Sequence, residues 1–215
     1  MKIGVLKETA AGERRVSATP ETVKKFIGLG ATVSVEKGAG DTASIDDQAY
    51  ADAGATVDSR ADVLNDADIV LGVTGPDPQS LNGLKQGAWL VAGLNPFGER
   101  ARIDEYAALG VEALAMEFMP RITRAKSMDI LSSQSNLSGY KAVLDAAGEY
   151  GSAFPMMMTA AGTVSAAKVF VMGVGVAGLQ AIATARRLGA QVSATDVRAA
   201  TKEQILSLGA KPIFV

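Results

Sequence analysis

The chain has 215 residues, 48% hydrophobic and 20% charged, and its formal net charge is −2 at neutral pH. This composition is typical of a folded protein with room for two modest domains, and it excludes disorder and the basic excess that drives nucleic-acid binding. The sequence contains neither cysteine nor histidine, which excludes a catalytic thiolate, a Cys-ligated zinc site and a histidine base within it. No apolar run is long enough to span a bilayer and the MKIGVLKE start lacks the apolar core of a signal peptide, so we expect a cytoplasmic location.

The first 118 residues alternate short apolar runs with helical patterns, which predicts a parallel α/β domain. Its predicted strands are KIGVL, TVSVE, DIVLGV, AWLVAG and VEALAM. Pro20 follows Thr19 as the first residue of a helix after its cap, and Gly30 closes that helix.

Residues 119–133 form a chemically distinct loop. Arg121, Arg124 and Lys126 lie within six residues of one another, and Asp129 and the polar run from Ser132 follow. Such groups are costly to bury unless they pair or bind something, so we expect a binding loop beside an interdomain cleft. An ordinary linker with a solvated basic turn is the alternative.

A helix is predicted to begin near Ser135, capped by the polar run, and to end near Tyr150. Met156 to Met158 are expected to serve as adaptable packing. The expected buried face of the helix comprises Leu137, Tyr140, Leu144 and Ala147.

The segment from Lys168 to Arg198 predicts a strand, a glycine turn, a helix and a second strand that ends in an acid. Gly173, Gly175 and Gly178 have the G-x-G-x-x-G spacing, in which the glycines allow a tight turn, admit a pyrophosphate and let helix pack on strand. A helix that opens near Val176 would direct unpaired N–H groups at the phosphates. This pattern predicts dinucleotide binding.

Asp196 indicates which dinucleotide is bound. A carboxylate at the end of the second strand accepts hydrogen bonds from the ribose hydroxyls but repels a 2′-phosphate, which favours NAD. Arg198 stands two residues later, where a guanidinium could accommodate that phosphate and so admit NADP.

Four stretches together carry a family resemblance: PRITRAKSMDILSSQSN, MMMTAAGTV, GVGVAGLQAIATARRLGA and ATDVRAATKEQ. With them the chain closely resembles the NAD(H)-binding component of proton-translocating nicotinamide nucleotide transhydrogenase, over essentially its whole length. The resemblance implies a homodimer at the membrane periphery that docks on an NADP(H)-binding component and a membrane component. It also implies direct hydride transfer between the two nicotinamide rings, coupled to proton movement.

The resemblance also implies site residues. Arg121, Asp129 and Ser132 would position the nicotinamide, and Lys126 stands where the family pattern has glutamine. Lysine cannot accept a hydrogen bond there. The pyrophosphate and adenosine-ribose site would comprise Gly173, Gly175, Val176, Ala177, Gly178, Asp196, Val197 and Arg198.

The predicted organisation is two Rossmann-like parallel-sheet domains of the α/β class. Residues 1–133 form the first, residues 134–165 an interdomain helix and linker, and residues 166–215 the first half of an NAD-binding domain whose third strand, KPIFV, closes at Val215. Either the chain is a fragment or a companion polypeptide supplies the remaining strands.

Two other functions remain open. Alanine dehydrogenase has a similar opening and would use Arg15 for the substrate carboxylate, but Thr74 stands at that family's lysine position and its histidine is missing. A chain that binds NAD or assists assembly without catalysis is the second alternative.

Overall fold

The structure is a computed structural model and describes residues 1–120 and 122–214. The chain divides into two compact units, residues 1–128 and residues 129–215. Each unit contains a parallel sheet, as the sequence predicts for an α/β protein.

The first unit alternates strands and helices along the chain. Among its described residues these are β1 (Lys2–Val5), α1 (Pro20–Gly28), β2 (Thr32–Glu36), α2 (Asp47–Asp52), β3 (Thr56–Asp58), α3 (Arg60–Leu64), β4 (Ile69–Thr74), β5 (Trp89–Gly93), α4 (Arg100–Ala108) and β6 (Glu112–Ala115). All six strands are parallel in the order β3-β2-β1-β4-β5-β6, which is the doubly wound order of dinucleotide-binding folds.

Local chemistry explains where α1 begins. The Thr19 side chain accepts a hydrogen bond from the backbone N–H of Thr22, and Pro20 occupies the first helical turn, as predicted. The sequence does not predict strand β3, because only three residues form it and its burial is partial, which leaves no apolar run to detect.

The core of the first unit consists of two apolar clusters. Val5, Val23 and Tyr50 belong to one, and Val70 and Tyr106 belong to the other. The buried Tyr50 hydroxyl donates to the carbonyl of Ala18 at 2.9 Å, so its burial leaves no unsatisfied polar group.

The second unit begins with a long helix. Its described elements are α5 (Ile130–Glu149), β7 (Met157–Thr159), β8 (Gly162–Val164), β9 (Lys168–Met172), α6 (Val176–Arg187), β10 (Gln191–Thr195), α7 (Lys202–Ser207) and β11 (Lys211–Pro212). Strands β9, β10 and β11 form a parallel sheet in the order β11-β10-β9, and β7 and β8 form an antiparallel hairpin. The third strand is shorter than KPIFV, and Val215 lies outside the described residues.

The predicted start of α5 is wrong, and its predicted buried face is right only in part. The helix begins at Ile130 and not near Ser135, because Asp129 caps it by accepting a hydrogen bond from the backbone N–H of Ser132. Of the predicted face, Leu144 and Ala147 are partly buried, whereas Leu137 and Tyr140 are about half exposed. The fully buried residues of α5 are Gly139 and Val143.

The prediction that Met156 to Met158 act as packing is also wrong. These methionines are 62%, 48% and 74% exposed, and the last two belong to strand β7 of the hairpin. The apolar run therefore lies on the surface of the second unit.

Candidate nucleotide-binding site

The predicted glycine turn connects β9 to α6. Gly173 has a φ of +91°, which L side chains rarely adopt, and its N–H donates to the carbonyl of Thr195 at 2.9 Å. Gly175 is the N-cap of α6 and provides no side-chain hydrogen bond to the helix. The first N–H groups of α6 therefore have no side-chain cap, which suits them to an anion.

Gly178 brings the first turn of α6 against the end of β9. A methyl group placed on Gly178 would overlap the carbonyl oxygen of Gly173 and lie 2.9 Å from its carbonyl carbon. Methyl groups placed on Gly173 and Gly175, in contrast, would meet nothing within 4 Å. The turn is thus close-packed toward the strand and open on its outer side, the arrangement that a pyrophosphate requires.

Asp196 follows β10 directly and is bound to the glycine turn. Its Oδ2 accepts from the backbone N–H of Val174 at 2.7 Å and from Nη2 of Arg198 at 3.0 Å. Its Oδ1 accepts from the backbone N–H of Arg198 at 2.8 Å and from its Nε at 2.9 Å. The two predicted elements of the site, turn and acid, are therefore in direct contact.

These hydrogen bonds keep Asp196 ionised. The Arg198 guanidinium, followed by the Val174 and Arg198 N–H groups, holds the pKa of this carboxyl well below its usual range. The Asp196 side chain is only 6% exposed, whereas that of Arg198 is 61% exposed. The two oxygens of Asp196 together accept four hydrogen bonds, which is about the number that a carboxylate can accept.

An open groove of about 680 Å³ lies at the carboxyl ends of these strands. It includes the predicted residues Gly173, Asp196 and Val197, and Val197 is fully exposed. Sequence reasoning missed the other lining residues: Met172, Thr195, Ala199, Lys202 and Phe214. Lys202 could have been suspected, because it opens the helix that follows the acid.

Val176 and Ala177 lie in the first turn of α6. Val176 is 40% exposed and lines a separate shallow groove with Asn136 and Gln204. Their backbone N–H groups, and not their side chains, would contact a phosphate at this helix end.

The predicted nicotinamide loop is divided between the two units. Asp129 and Ser132 form a pair in the second unit, with the Ser132 hydroxyl 2.7 Å from Oδ2 of Asp129. Lys126 is exposed in a 3₁₀ turn, Thr123–Met128, of the first unit. Arg121 lies outside the described residues.

The first unit carries a second polar cluster, where β1 and β4 end. Glu8 accepts hydrogen bonds from the Val73 and Thr74 N–H groups at 2.5 and 3.2 Å, and from the Thr74 hydroxyl at 2.6 Å. Arg15 is paired with Glu13, with Nε 2.7 Å from Oε1. These contacts occupy the carboxylate and the guanidinium with partners inside the protein.

Membrane spans and metal clusters are both absent from residues 1–120 and 122–214. None of the helices in that part of the chain has both the length and the hydrophobicity of a membrane span. In the same residues no group of three or more acidic side chains lies close enough together to hold a metal ion.

The sequence matches two family descriptions in succession. Residues 4–138 match "Alanine dehydrogenase/PNT, N-terminal domain", and residues 142–215 match "Alanine dehydrogenase/PNT, C-terminal domain". Together with the two parallel sheets and the glycine turn, these matches define an α/β protein with a Rossmann-like fold. The chain belongs to the alanine dehydrogenase/PNT family.

Within that family the chain is highly similar to transhydrogenases. It is 56% identical over 223 residues to an NAD(P) transhydrogenase subunit alpha protein of Rhodospirillum rubrum, covering 100% of this chain and 58% of that protein. A solved transhydrogenase structure from Sinorhizobium meliloti superposes with a TM-score of 0.96 at 56% identity, covering 100% of this chain and 64% of that one. Alanine dehydrogenase of Bacillus subtilis is 30% identical over 95% of this chain and 54% of that protein. The chain thus spans somewhat more than half the length of these relatives.

Proposed function

We propose that this chain is the NAD(H)-binding component of a proton-translocating transhydrogenase. The observation that carries the proposal is the contact between the glycine turn and the strand-end acid, in which Asp196 accepts from the Val174 N–H at 2.7 Å. This contact aligns a pyrophosphate-binding helix end with a ribose-binding carboxylate. The similarity to a transhydrogenase alpha subunit over the whole chain supports the same assignment.

The residues fit an adenosine diphosphate group. The open outer side of Gly173 and Gly175 leaves room for the pyrophosphate against the N-terminus of α6, and the groove beside Val197 leaves room for the adenosine. One adjustment is needed. Because Asp196 already accepts four hydrogen bonds, Arg198 must release at least one of its own before a ribose hydroxyl can donate to the carboxylate.

NAD(H) is the proposed coenzyme, and NADP(H) would belong to the partner component. The ionised Asp196 would repel a 2′-phosphate and accept from a free 2′-hydroxyl. Arg198 is engaged with that same carboxylate, which partly neutralises the cation that could otherwise attract the phosphate. Lys202 lines the groove as well. The preference for NAD(H) over NADP(H) therefore requires that the Asp196 carboxylate lies nearer to the ribose than the Lys202 ammonium group does.

In this proposal the protein orients the nicotinamide ring for hydride transfer and provides no acid or base catalysis. The bound coenzyme would supply a hydride, which passes to NADP⁺ on the partner and leaves NAD⁺. Arg121, Asp129 and Ser132 would orient the nicotinamide for that step. Orientation at near-contact distance with water excluded can be worth orders of magnitude in rate, so no titrating side chain is required.

The alanine dehydrogenase alternative is disfavoured by the contacts of Glu8 and Arg15. Deaminating an amino acid requires proton transfer at the substrate. Thr74 stands at the lysine position of the alanine dehydrogenases, and its hydroxyl donates to Glu8 at 2.6 Å. A guanidinium that binds a substrate carboxylate must be available to it, whereas Arg15 is paired with Glu13. Both side chains therefore support the fold of the first unit.

The proposed partners are the NADP(H)-binding component, the membrane component that moves protons, and a second copy of this chain. The hairpin of β7 and β8 favours the homodimer, because a two-stranded sheet is marginally stable alone and this one exposes Met157, Met158 and Val164. Placement at the membrane periphery would follow from the membrane component.

Stopped-flow hydride transfer tests the proposed function. NADH is mixed with the NADP(H)-binding component loaded with an NADP⁺ analogue, in the presence of a full-length protein, meaning this chain extended to the length of its relatives. We expect Arg121→Ala to slow transfer by about a hundredfold while it weakens NADH binding far less, because orientation and not affinity is lost.

The matched control is Arg100→Ala, which removes an 81% exposed guanidinium of α4. It should leave the transfer rate unchanged. A loss of binding with an unchanged transfer rate in Arg121→Ala would show that the loop only holds the coenzyme. Absence of transfer in the unmodified full-length protein would contradict the proposed function itself.

A further inference from the structure

Helix α5 contacts α6 through backbone atoms at Gly139, a position outside the glycine motif. Gly139 is buried, and a methyl group placed on it would overlap the carbonyl oxygen of Ala177. The same methyl group would lie 2.8 Å from the Ala177 carbonyl carbon and 3.0 Å from its Cα. Backbone atoms cannot move to another rotamer, so any side chain here would require the two helices to separate.

Gly139 contacts the first turn of α6, whose N–H groups would bind an anion. Ala177 is the second residue of α6, directly after Val176 and directly before Gly178. Gly178 already packs on the Gly173 carbonyl from the strand side. The first turn of α6 is therefore held between two contacts that each exclude a Cβ atom, one with Gly173 in the turn after β9 and one with α5.

The other glycine of α5 shows no comparable constraint. Gly148 is exposed in the last turn of the same helix, and a methyl group there would meet nothing within 4 Å. Asn136 donates to Gln180 of α6 at 3.3 Å, but this bond is exposed and joins two flexible side chains. Of the two glycines of α5, Gly139 is thus the one that limits how the α6 N-terminus is placed.

We propose that Gly139 is a positioning residue of the coenzyme site, acting as a fourth glycine that α5 contributes to the phosphate-binding turn. The inference rests on the proposed function, because it assumes that the α6 N-terminus receives the pyrophosphate. The favourable field and N–H groups of a helix end act only within its first turn, so a displacement of about 1 Å there removes much of their effect.

The same helix joins the two proposed regions of the site. α5 starts at the Asp129 cap and reaches Gly139 after about 15 Å at the ordinary helical rise. A side chain at Gly139 would therefore displace the phosphate-binding turn relative to the Asp129 and Ser132 pair. The proposed ribose-binding carboxylate, Asp196, belongs to the loop after β10 and bonds to Val174, which precedes α6. The three atoms nearest to a methyl group on Gly139 instead belong to Ala177, inside α6.

Calorimetric and NMR titrations of the chain with ADP-ribose and with adenosine test the inference. Adenosine uses the ribose and adenine contacts alone, whereas ADP-ribose adds the pyrophosphate. We expect Gly139→Ala to weaken ADP-ribose binding about tenfold or more and to change adenosine binding less than about twofold, because only the pyrophosphate contact is displaced. Gly148→Ala, the matched control on the same helix, should leave both dissociation constants unchanged.

Two further variants separate position from stability. Val143→Ala removes a buried side chain of α5 without creating an overlap, so it should lower the melting temperature and keep the ratio of the two affinities. Should G139A unfold, the double variant G139A/G148A adds helix propensity at the open site to offset the cost of the overlap, and it carries the same measurement.

The outcomes are distinct. Saturable ADP-ribose binding that is equal in the wild-type chain and in G139A would overturn the inference and leave the proposed function standing. Equal proportional losses of ADP-ribose and adenosine would also overturn it, since they indicate general destabilisation. No ADP-ribose binding by the wild-type chain would overturn the proposed function, and with it the inference.

Discussion

Asp196 connects the strand-end acid to the glycine turn through its bond from the Val174 N–H. The position of this residue follows from the sequence, because a carboxylate at the end of the second strand of a glycine-turn unit has a specific mechanical reason to be there. The sequence does not predict that Arg198 closes over the carboxylate. That pairing depends on the side-chain rotamer and on the loop after β10, neither of which follows from spacing.

Arg198 should act as an internal competitor of the ribose. Because its guanidinium and the ribose hydroxyls need the same oxygens of Asp196, we expect Arg198→Ala to raise the affinity for ADP-ribose about threefold. The affinity for the 2′-phosphorylated ligand should fall, because a nearby cation is lost. Titration calorimetry with both ligands gives the two changes.

The matched control is Arg187→Ala, at the exposed C-terminal end of α6, where neither ligand should respond. A fall in affinity for both ligands in Arg198→Ala would mean that Arg198 orders Asp196 instead of competing for it.

Helix α5 shows why an element can be predicted while its start and its buried face are not. Its existence follows from the pattern of residues after 134, but the capping Asp129 lies upstream of the polar run that resembles a cap. The apolar positions Leu137 and Tyr140 indicate the wrong face, because α5 packs on α6 through Gly139. A glycine contact has no hydrophobic signature, so periodicity cannot reveal it.

Asp129 should contribute to both stability and function. Asp129→Ala removes the cap of α5 and should lower the free energy of unfolding by about 1 kcal/mol, as measured by urea denaturation. It should also slow hydride transfer in the full-length protein, because the proposed nicotinamide loop includes this residue.

Asp46→Ala provides the comparison at the same kind of position. Asp46 caps α2 by accepting from the Ala49 N–H at 2.8 Å, so its loss should cost similar stability without any change in transfer. Equal transfer rates in Asp129→Ala and Asp46→Ala would show that Asp129 serves only as a helix cap.

At the scale of the whole molecule, the class of fold is predictable from the sequence and some of its elements are not. The parallel α/β character follows from alternating apolar runs and helices, and the matched family has the same two domains in the same order. The sequence does not predict the hairpin of β7 and β8, because its exposed methionines are typical of buried packing. Strand β3 is not predicted either, because three residues are too few to show a strand pattern of alternating apolar residues.

The coenzyme preference of the chain tests the central claim most directly. Titration with NADH and NADPH under identical salt should give tighter binding of NADH, and Asp196→Asn should remove the difference by removing the charge that repels the 2′-phosphate. Asp58→Asn, which alters a strand-end acid of the first unit bound to Ser34, should preserve the preference. Equal affinities of the unmodified chain for NADH and NADPH, or a preference that survives Asp196→Asn, would contradict the assignment of an NAD(H) site.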